Sequence, residues 1–120
     1  MSKRILIMDD EADFGEFVSI IAQDLGYEVT ALTDPCEFKQ CYQDFRPDTV
    51  VMDMVMPDMN GNDLVNWLIS QGSAVKLLIV TGYNPLNARS LRLQGAANGM
   101  SPVKTFRKPV SARKLRAALA

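Results

Sequence analysis

The chain has 120 residues, the size of one domain with a single hydrophobic core, and we expect residues 1–120 to fold without cross-links or a structural metal. Its 13 basic and 14 acidic residues give a formal net charge of −1, which argues against direct binding to nucleic acid. Histidine is absent, which excludes histidine-based acid–base chemistry and leaves carboxylates, hydroxyls, lysine and a hard cation as chemical resources.

Short apolar runs and helical patterns alternate along the chain. The runs predict strands at residues 4–8, 27–32, 49–54, 75–80 and 103–107. The helical patterns cover residues 13–25, 35–45, 62–71 and 85–96 and begin again at residue 112. Five consecutive strand–helix units predict an α/β fold, with a parallel sheet covered by helices on both faces.

The hydrophobicity pattern of the strands indicates their positions in the sheet. The first, third and fourth runs are continuously hydrophobic, as is typical of central parallel strands, whereas the second and fifth alternate like edge strands. This places the second and fifth strands at the edges and matches the order 2-1-3-4-5 of the flavodoxin-like doubly wound fold. Asp34 and Ser111 are the predicted helix caps. The predicted apolar stripe of the first helix consists of Phe14, Phe17, Val18, Ile21 and Leu25.

The cysteines and the chain ends bear on location and domain organisation. Cys36 and Cys41 lie in one predicted helix with divergent side chains, which disfavours a disulfide and indicates a cytoplasmic protein. We expect no signal peptide, since the apolar first strand begins within four residues of the N-terminus, and no apolar run approaches the roughly 18 residues that a membrane span requires. The last predicted helix runs to Ala120 without a stop signal, so the chain can be one domain of a longer protein.

Polar side chains follow the predicted strands at the edge of the sheet where ligands bind in such folds. They are Asp9, Asp10 and Glu11 after the first strand, Asp53 after the third, Thr81 after the fourth and Lys108 after the fifth. Asp9, Asp10 and Asp53 supply three carboxylates that, about 4–6 Å apart, repel one another by several kcal/mol per pair at an effective dielectric near 20, more than one lysine offsets. Because the available ligands are oxygens, Mg²⁺ or Mn²⁺ is favoured over zinc.

Asp53 is the predicted site of chemistry. Its carboxylate is ionised at pH 7 and, beside a cation, can attack phosphorus without a general base, so we predict that it accepts a phosphoryl group. Simpler interpretations exist for each motif taken alone. The acidic run can cap the first helix, Thr81 with Gly82 can form an ordinary turn, and Lys108 with Pro109 can form the entry to the last helix.

Taken together, these motifs resemble the receiver domain of two-component response regulators over the whole chain. The matching residues are the acidic pair Asp9-Asp10, Asp53 in DMVMPDMNG, Thr81 followed by Gly82, and the dipeptide Lys108-Pro109.

The resemblance implies a role for each of these positions. Asp10, Asp53 and the main-chain carbonyl of Val55 would bind Mg²⁺ directly, with Asp9 acting largely through water. Lys108 would pair with Asp53 and later with the phosphoryl group. Thr81 would move to hydrogen-bond a phosphoryl oxygen, and Pro57 and Gly61 would shape the loop into the third helix.

The resemblance also implies partners. A sensor histidine kinase or phosphotransfer protein would supply the phosphoryl group, and an output domain or partner protein would respond; dimerisation on phosphorylation stays open. Such a domain is no enzyme beyond catalysing its own phosphorylation and dephosphorylation. Two alternatives are a pseudo-receiver that binds partners without phosphorylation and a small flavodoxin-like phosphatase. The phosphatase would need a general acid near Asp53, and Val55 cannot serve.

One position departs from the family pattern. Receivers usually carry Tyr or Phe three residues before the lysine, where this chain has Thr105. Phe106 is the next residue, and because neighbours in a strand point to opposite faces, it cannot simply substitute. The usual coupling between threonine and aromatic ring is therefore in question. The stretch LQGAANGMSPVKTFRKP also resembles receivers attached to cyclic-di-GMP phosphodiesterase domains.

Overall fold

A computed structural model describes residues 3–53, 55–56, 59–71, 75–81 and 103–120. The strands of the main sheet are β1 (Lys3–Met8), β2 (Tyr27–Leu32), β3 (Thr49–Met52), β4 (Lys76–Thr81) and β5 (Val103–Arg107). The α-helices are α1 (Ala12–Asp24), α2 (Phe38–Phe45), α3 (Gly61–Ser70) and α4 (Ala112–Leu119). The helix predicted over residues 85–96 lies outside the described residues.

The five strands form one parallel sheet in the order β2-β1-β3-β4-β5, which confirms the predicted order. The interior strand β1 pairs with β2 on one side and with β3 on the other. β3 pairs with β4, and β4 pairs with β5. All five strands therefore direct their carboxyl ends to the same edge of the sheet.

The hydrophobic core lies on both faces of this sheet. Within β1, Leu6 and Met8 join the cluster beneath α2 and α3, while Ile5 and Ile7 join the cluster beneath α1 and α4. All four side chains are fully buried. A continuous apolar run is thus explained by burial on both faces, as expected for a central parallel strand.

The helix starts follow the predicted capping signals, with one local difference. Asp34 Oδ1 accepts a hydrogen bond from the Cys36 amide at 2.9 Å, but the first turn, Pro35–Glu37, is a 3₁₀ helix and α2 proper follows it. Ser111 Oγ accepts a hydrogen bond from the Lys114 amide at 3.1 Å and caps α4. Both caps satisfy amides that lack partners in the first turn.

The third strand is shorter than predicted, because β3 ends at Met52 and not at residue 54. A short antiparallel pair, Val55–Met56 with Met59–Asn60, follows it and leads into α3. The pattern of the sequence did not indicate this pair, since two-residue strands carry no detectable period. None of the described helices combines the length and apolar character that crossing a membrane would require.

Candidate functional site

Asp9 and Asp53 lie side by side at the carboxyl edge of the sheet because β1 and β3 end in register. Met8 is opposite Met52, and the Asp53 amide then donates to the Met8 carbonyl at 3.1 Å. The Asp9 amide donates to the Leu32 carbonyl, also at 3.1 Å. Both aspartates are buried, so two carboxylates are held at the centre of the edge by the backbone of the sheet.

Lys108 brings the opposite charge to this pair from the end of β5. Its Nζ donates to Asp9 Oδ2 at 2.9 Å and to Asp53 Oδ2 at 3.0 Å. It also donates to Glu11 Oε1 at 2.8 Å and lies 4.5 Å from the centre of the Phe14 ring. The three ion pairs join residues that are distant in sequence, as the predicted convergence at the sheet edge requires.

The acidic residues can also hold a cation. One carboxylate oxygen from each of Asp9, Asp10 and Asp53 lies within 4.8 Å of the others. Asp10 is exposed and the other two are buried, so the cluster opens to solvent on one side. At about 4 Å, two like charges repel by roughly 4 kcal/mol at an effective dielectric of 20. This spacing suits an oxygen-bound divalent ion such as Mg²⁺.

The pKa values of two groups reflect these contacts. Burial raises the pKa of Asp9, and the hydrogen bonds from Lys108 and from the Glu11 amide oppose that rise only in part. Burial by itself lowers the pKa of Lys108, but hydrogen bonds to Asp9, Glu11 and Asp53 outweigh it and hold the pKa above its ordinary value. Lys108 is therefore a permanent cation near neutral pH.

Thr81 and Val55 are located only by their backbone. Thr81 is the last residue of β4 and is opposite Arg107 in register, at the same sheet edge as the acidic cluster. Val55 lies in the short antiparallel pair, opposite Asn60. The roles predicted for the Thr81 hydroxyl and the Val55 carbonyl stay predictions. Gly82 and Pro57 lie outside the described residues.

Thr105 and Phe106 lie on opposite faces of β5, as predicted. Phe106 packs against the cluster beneath α1 and α4, whereas Val103, two residues before Thr105, belongs to the cluster beneath α2 and α3. Thr105 is partly buried and is opposite Ile79 in register. The ring of Phe106 is thus committed to the face that Thr105 does not occupy.

Sequence reasoning missed the contact of Lys108 with Glu11 and with the Phe14 ring. The acidic run had the alternative interpretation of a helix cap, and part of it has that role. Asp9 Oδ1 accepts a hydrogen bond from the Glu11 amide at 2.8 Å, while Glu11 itself, at the N-cap of α1, forms no capping bond to a described amide. The only available signal was the spacing of three between Glu11 and Phe14, which puts both on one helix face.

A doubly wound parallel sheet with a buried aspartate pair and a lysine at its carboxyl edge is the arrangement of a signalling receiver domain. Comparison with models of protein families matches residues 5–120 to the response regulator receiver domain. The chain belongs to this family.

Similar proteins agree with this assignment. The DNA-binding response regulator MtrA of Mycolicibacterium paratuberculosis is 28% identical over 106 residues, which are 87% of this chain and 47% of MtrA. The chemotaxis protein CheY of Thermotoga maritima is 35% identical over 80 residues, which are 66% of this chain and 67% of CheY. The solved structure of the Vibrio cholerae chemotaxis protein CheY4 has a TM-score of 0.83 at 26% identity and covers 99% of this chain and 97% of its own. This chain thus spans about half the length of MtrA.

Proposed function

We propose that the chain accepts a phosphoryl group on Asp53 and switches conformation in response. The observation that carries the proposal is the contact between Lys108 Nζ and Asp53 Oδ2 at 3.0 Å, beside Asp9 and Asp10. A buried, lysine-paired carboxylate at an acidic cluster is a nucleophile with a cation already positioned for an incoming anion. Membership of the receiver family supports the same role.

The proposed chemistry is a single displacement at phosphorus. An oxygen of the Asp53 carboxylate forms a bond to phosphorus as the bond to the donor breaks. The electron pair of that bond leaves with the donor, either a histidine nitrogen of a partner kinase or the acetate of acetyl phosphate. Lys108 donates hydrogen bonds to the phosphoryl oxygens, where negative charge accumulates. Water later hydrolyses the aspartyl phosphate.

A divalent ion fits the same cluster. Asp10, Asp53 and the Val55 carbonyl would hold Mg²⁺ or Mn²⁺, with Asp9 acting largely through water, and the ion would neutralise charge on the transferring group. We expect the Thr81 hydroxyl to hydrogen-bond a phosphoryl oxygen. The dianionic aspartyl phosphate would then favour a second packing around β4 and β5.

The proposed partners follow from this chemistry. A sensor histidine kinase or a phosphotransfer protein in the cytoplasm would donate the phosphoryl group. An output domain or a separate partner protein would sense the switched surface. MtrA is a DNA-binding response regulator and CheY a chemotaxis protein, so relatives of this chain serve different outputs. We expect no direct contact of this domain with nucleic acid, given its formal net charge of −1.

Phosphorylation of the purified chain tests the proposal. Incubation with acetyl phosphate and Mg²⁺ should add one phosphoryl mass by intact-protein mass spectrometry, and Asp53→Asn should abolish the addition. Asp44→Asn is the matched control, because Asp44 is exposed on α2 and bonds to Gln40. Equal labelling of wild type and Asp53→Asn would overturn the assignment of the acceptor.

A pseudo-receiver that binds partners without phosphorylation is the alternative. Thr105, partly buried on β5 in place of the usual aromatic residue, is the observation that favours it. The same labelling experiment separates the two functions, because a pseudo-receiver would take up no phosphate at any Mg²⁺ concentration.

A further inference from the structure

The Lys108 ammonium has all of its donors in use. A lysine ammonium carries three N–H donors and no acceptor. Within the described part of the chain, Nζ donates to one oxygen each of Asp9, Glu11 and Asp53, at 2.9, 2.8 and 3.0 Å. An incoming phosphoryl oxygen can therefore bond to Lys108 only if one of these carboxylates gives up its place.

The three carboxylates differ in how firmly they hold the lysine. The side chains of Asp9 and Asp53 are 2% and 9% exposed, whereas the side chain of Glu11 is 64% exposed. Solvent screens an exposed ion pair and competes for both partners, so such a pair contributes only a small free energy. The bond from Glu11 is the one that costs least to break.

The backbone contacts rank the three carboxylates in the same way, with Glu11 held least firmly. The amides of Asp9 and Asp53 bond to carbonyls of neighbouring strands, so both residues belong to the rigid edge of the sheet. Glu11 follows the strand, and its side chain makes no capping bond to a described amide of α1. Rotation of the Glu11 side chain thus breaks no described hydrogen bond of the helix, whereas rotation of the Asp9 side chain would also break the bond that Asp9 Oδ1 accepts from the Glu11 amide.

We propose that Glu11 is a positioning residue that holds Lys108 in the unphosphorylated state and yields its bond to the phosphoryl group. This inference rests on the proposed function of Asp53. The Phe14 ring, 4.5 Å from Nζ, keeps the ammonium at the site while its partners exchange. Glu11 thereby sets how readily the lysine becomes available, without touching phosphorus.

The proposal predicts the direction in which loss of the Glu11 charge changes the rate of phosphorylation. Glu11 stabilises the ground state through a bond that is lost when Lys108 turns to phosphorus, so removing its charge should speed phosphorylation. An exposed ion pair of this kind corresponds to about a two- to fivefold change in rate. Glu11→Gln is the suitable variant, because glutamine keeps the shape and the main-chain cap and loses only the charge-assisted bond.

The rate of acetyl phosphate labelling, followed by mass spectrometry at fixed Mg²⁺, tests this sign. Glu11→Gln should be about two- to fivefold faster than wild type. Asp13→Asn is the matched control for long-range charge, since Asp13 is an exposed acid in the first turn of the same helix. A Glu11→Gln rate equal to that of wild type, or no higher than that of Asp13→Asn, would overturn the proposal.

The second measurement follows Lys108 itself. The ¹³Cε–¹⁵Nζ correlation of Lys108, assigned with Lys108→Arg, should differ between wild type and Glu11→Gln in the free proteins and coincide once beryllofluoride and Mg²⁺ are added. A difference that persists with beryllofluoride would mean that Glu11 stays bonded throughout, and the proposal would be wrong. If wild type neither labels nor responds to beryllofluoride, the proposed function fails as well, so the two failures are distinguishable.

Discussion

Replacing Lys108 by methionine should destabilise the protein in the absence of divalent ions. The substitution removes the ammonium that lies 2.9 and 3.0 Å from two buried carboxylates. Each contact represents roughly 6 kcal/mol of gross Coulomb attraction at an effective dielectric of 20, most of which offsets the desolvation of the ions. Breaking such a pair while leaving its partner buried costs about 3–5 kcal/mol. Because the side chain of Lys108 keeps 17% exposure, we expect about 3 kcal/mol, the lower end of that range.

Urea unfolding in EDTA at pH 7, followed by circular dichroism, measures this loss. Lys114→Met is the matched control, because it makes the same change of charge at an exposed position of α4 and should alter the free energy of unfolding little. Adding Asp9→Asn should recover stability in the Lys108→Met background and recover less, or nothing, in wild type. The difference is the coupling energy between Lys108 and Asp9.

The loss of stability in Lys108→Met should depend on pH in a direction that the pKa of Asp9 determines. In wild type the pKa of Asp9 is already raised, chiefly by burial, and losing Lys108 removes a contact that lowers it. A carboxyl group with a raised pKa in the folded state contributes stability that is present below its unfolded pKa and lost as the pH rises through the folded pKa. The Lys108→Met deficit should therefore be largest near pH 7 and shrink as the pH falls through the raised pKa of Asp9 towards the ordinary carboxyl value of about 4. A deficit equal to that of Lys114→Met at pH 7, or one that grows on acidification, would refute the reasoning.

Two further predictions concern the ion and the switch. Added Mg²⁺ should stabilise the wild-type chain by about 2.7 kcal/mol at a hundredfold excess over its dissociation constant, and Asp10→Ala should remove most of this gain. An unfolding temperature that does not change on addition of millimolar Mg²⁺ would exclude a metal site. Thr81→Ala should leave Asp53 phosphorylatable yet nearly abolish the NMR response of β5 and of the helix predicted over residues 85–96 to beryllofluoride, whereas Thr105→Ala should change it little. A large effect of Thr105→Ala with an intact response in Thr81→Ala would reverse this assignment.

Local pattern in the sequence determined the architecture. Continuous apolar runs are typical of strands buried on both faces and alternating runs of edge strands, so hydrophobicity placed the second and fifth strands at the edges. The order of the interior strands came from the doubly wound fold that this pattern matches. The caps at Asp34 and Ser111 also followed, because a side chain oxygen reaches an amide two or three residues away. The opposite orientation of Thr105 and Phe106 was also predictable from the sequence, since the two-residue period of a strand places neighbours on opposite faces.

Other features of the site depended on the tertiary structure. The contacts of Lys108 with Asp9, Glu11 and Asp53 span 99, 97 and 55 residues, and no local pattern encodes which of several carboxylates a lysine will reach. The 3₁₀ turn at Pro35–Glu37 and the short pair after Asp53 are likewise too brief to leave a period. Above all, the contrast between buried aspartates and an exposed glutamate on one ammonium arises only when strands and helix α1 are packed together. Burial is a property of the assembled surfaces, and it determines which of three chemically similar charges is free to exchange.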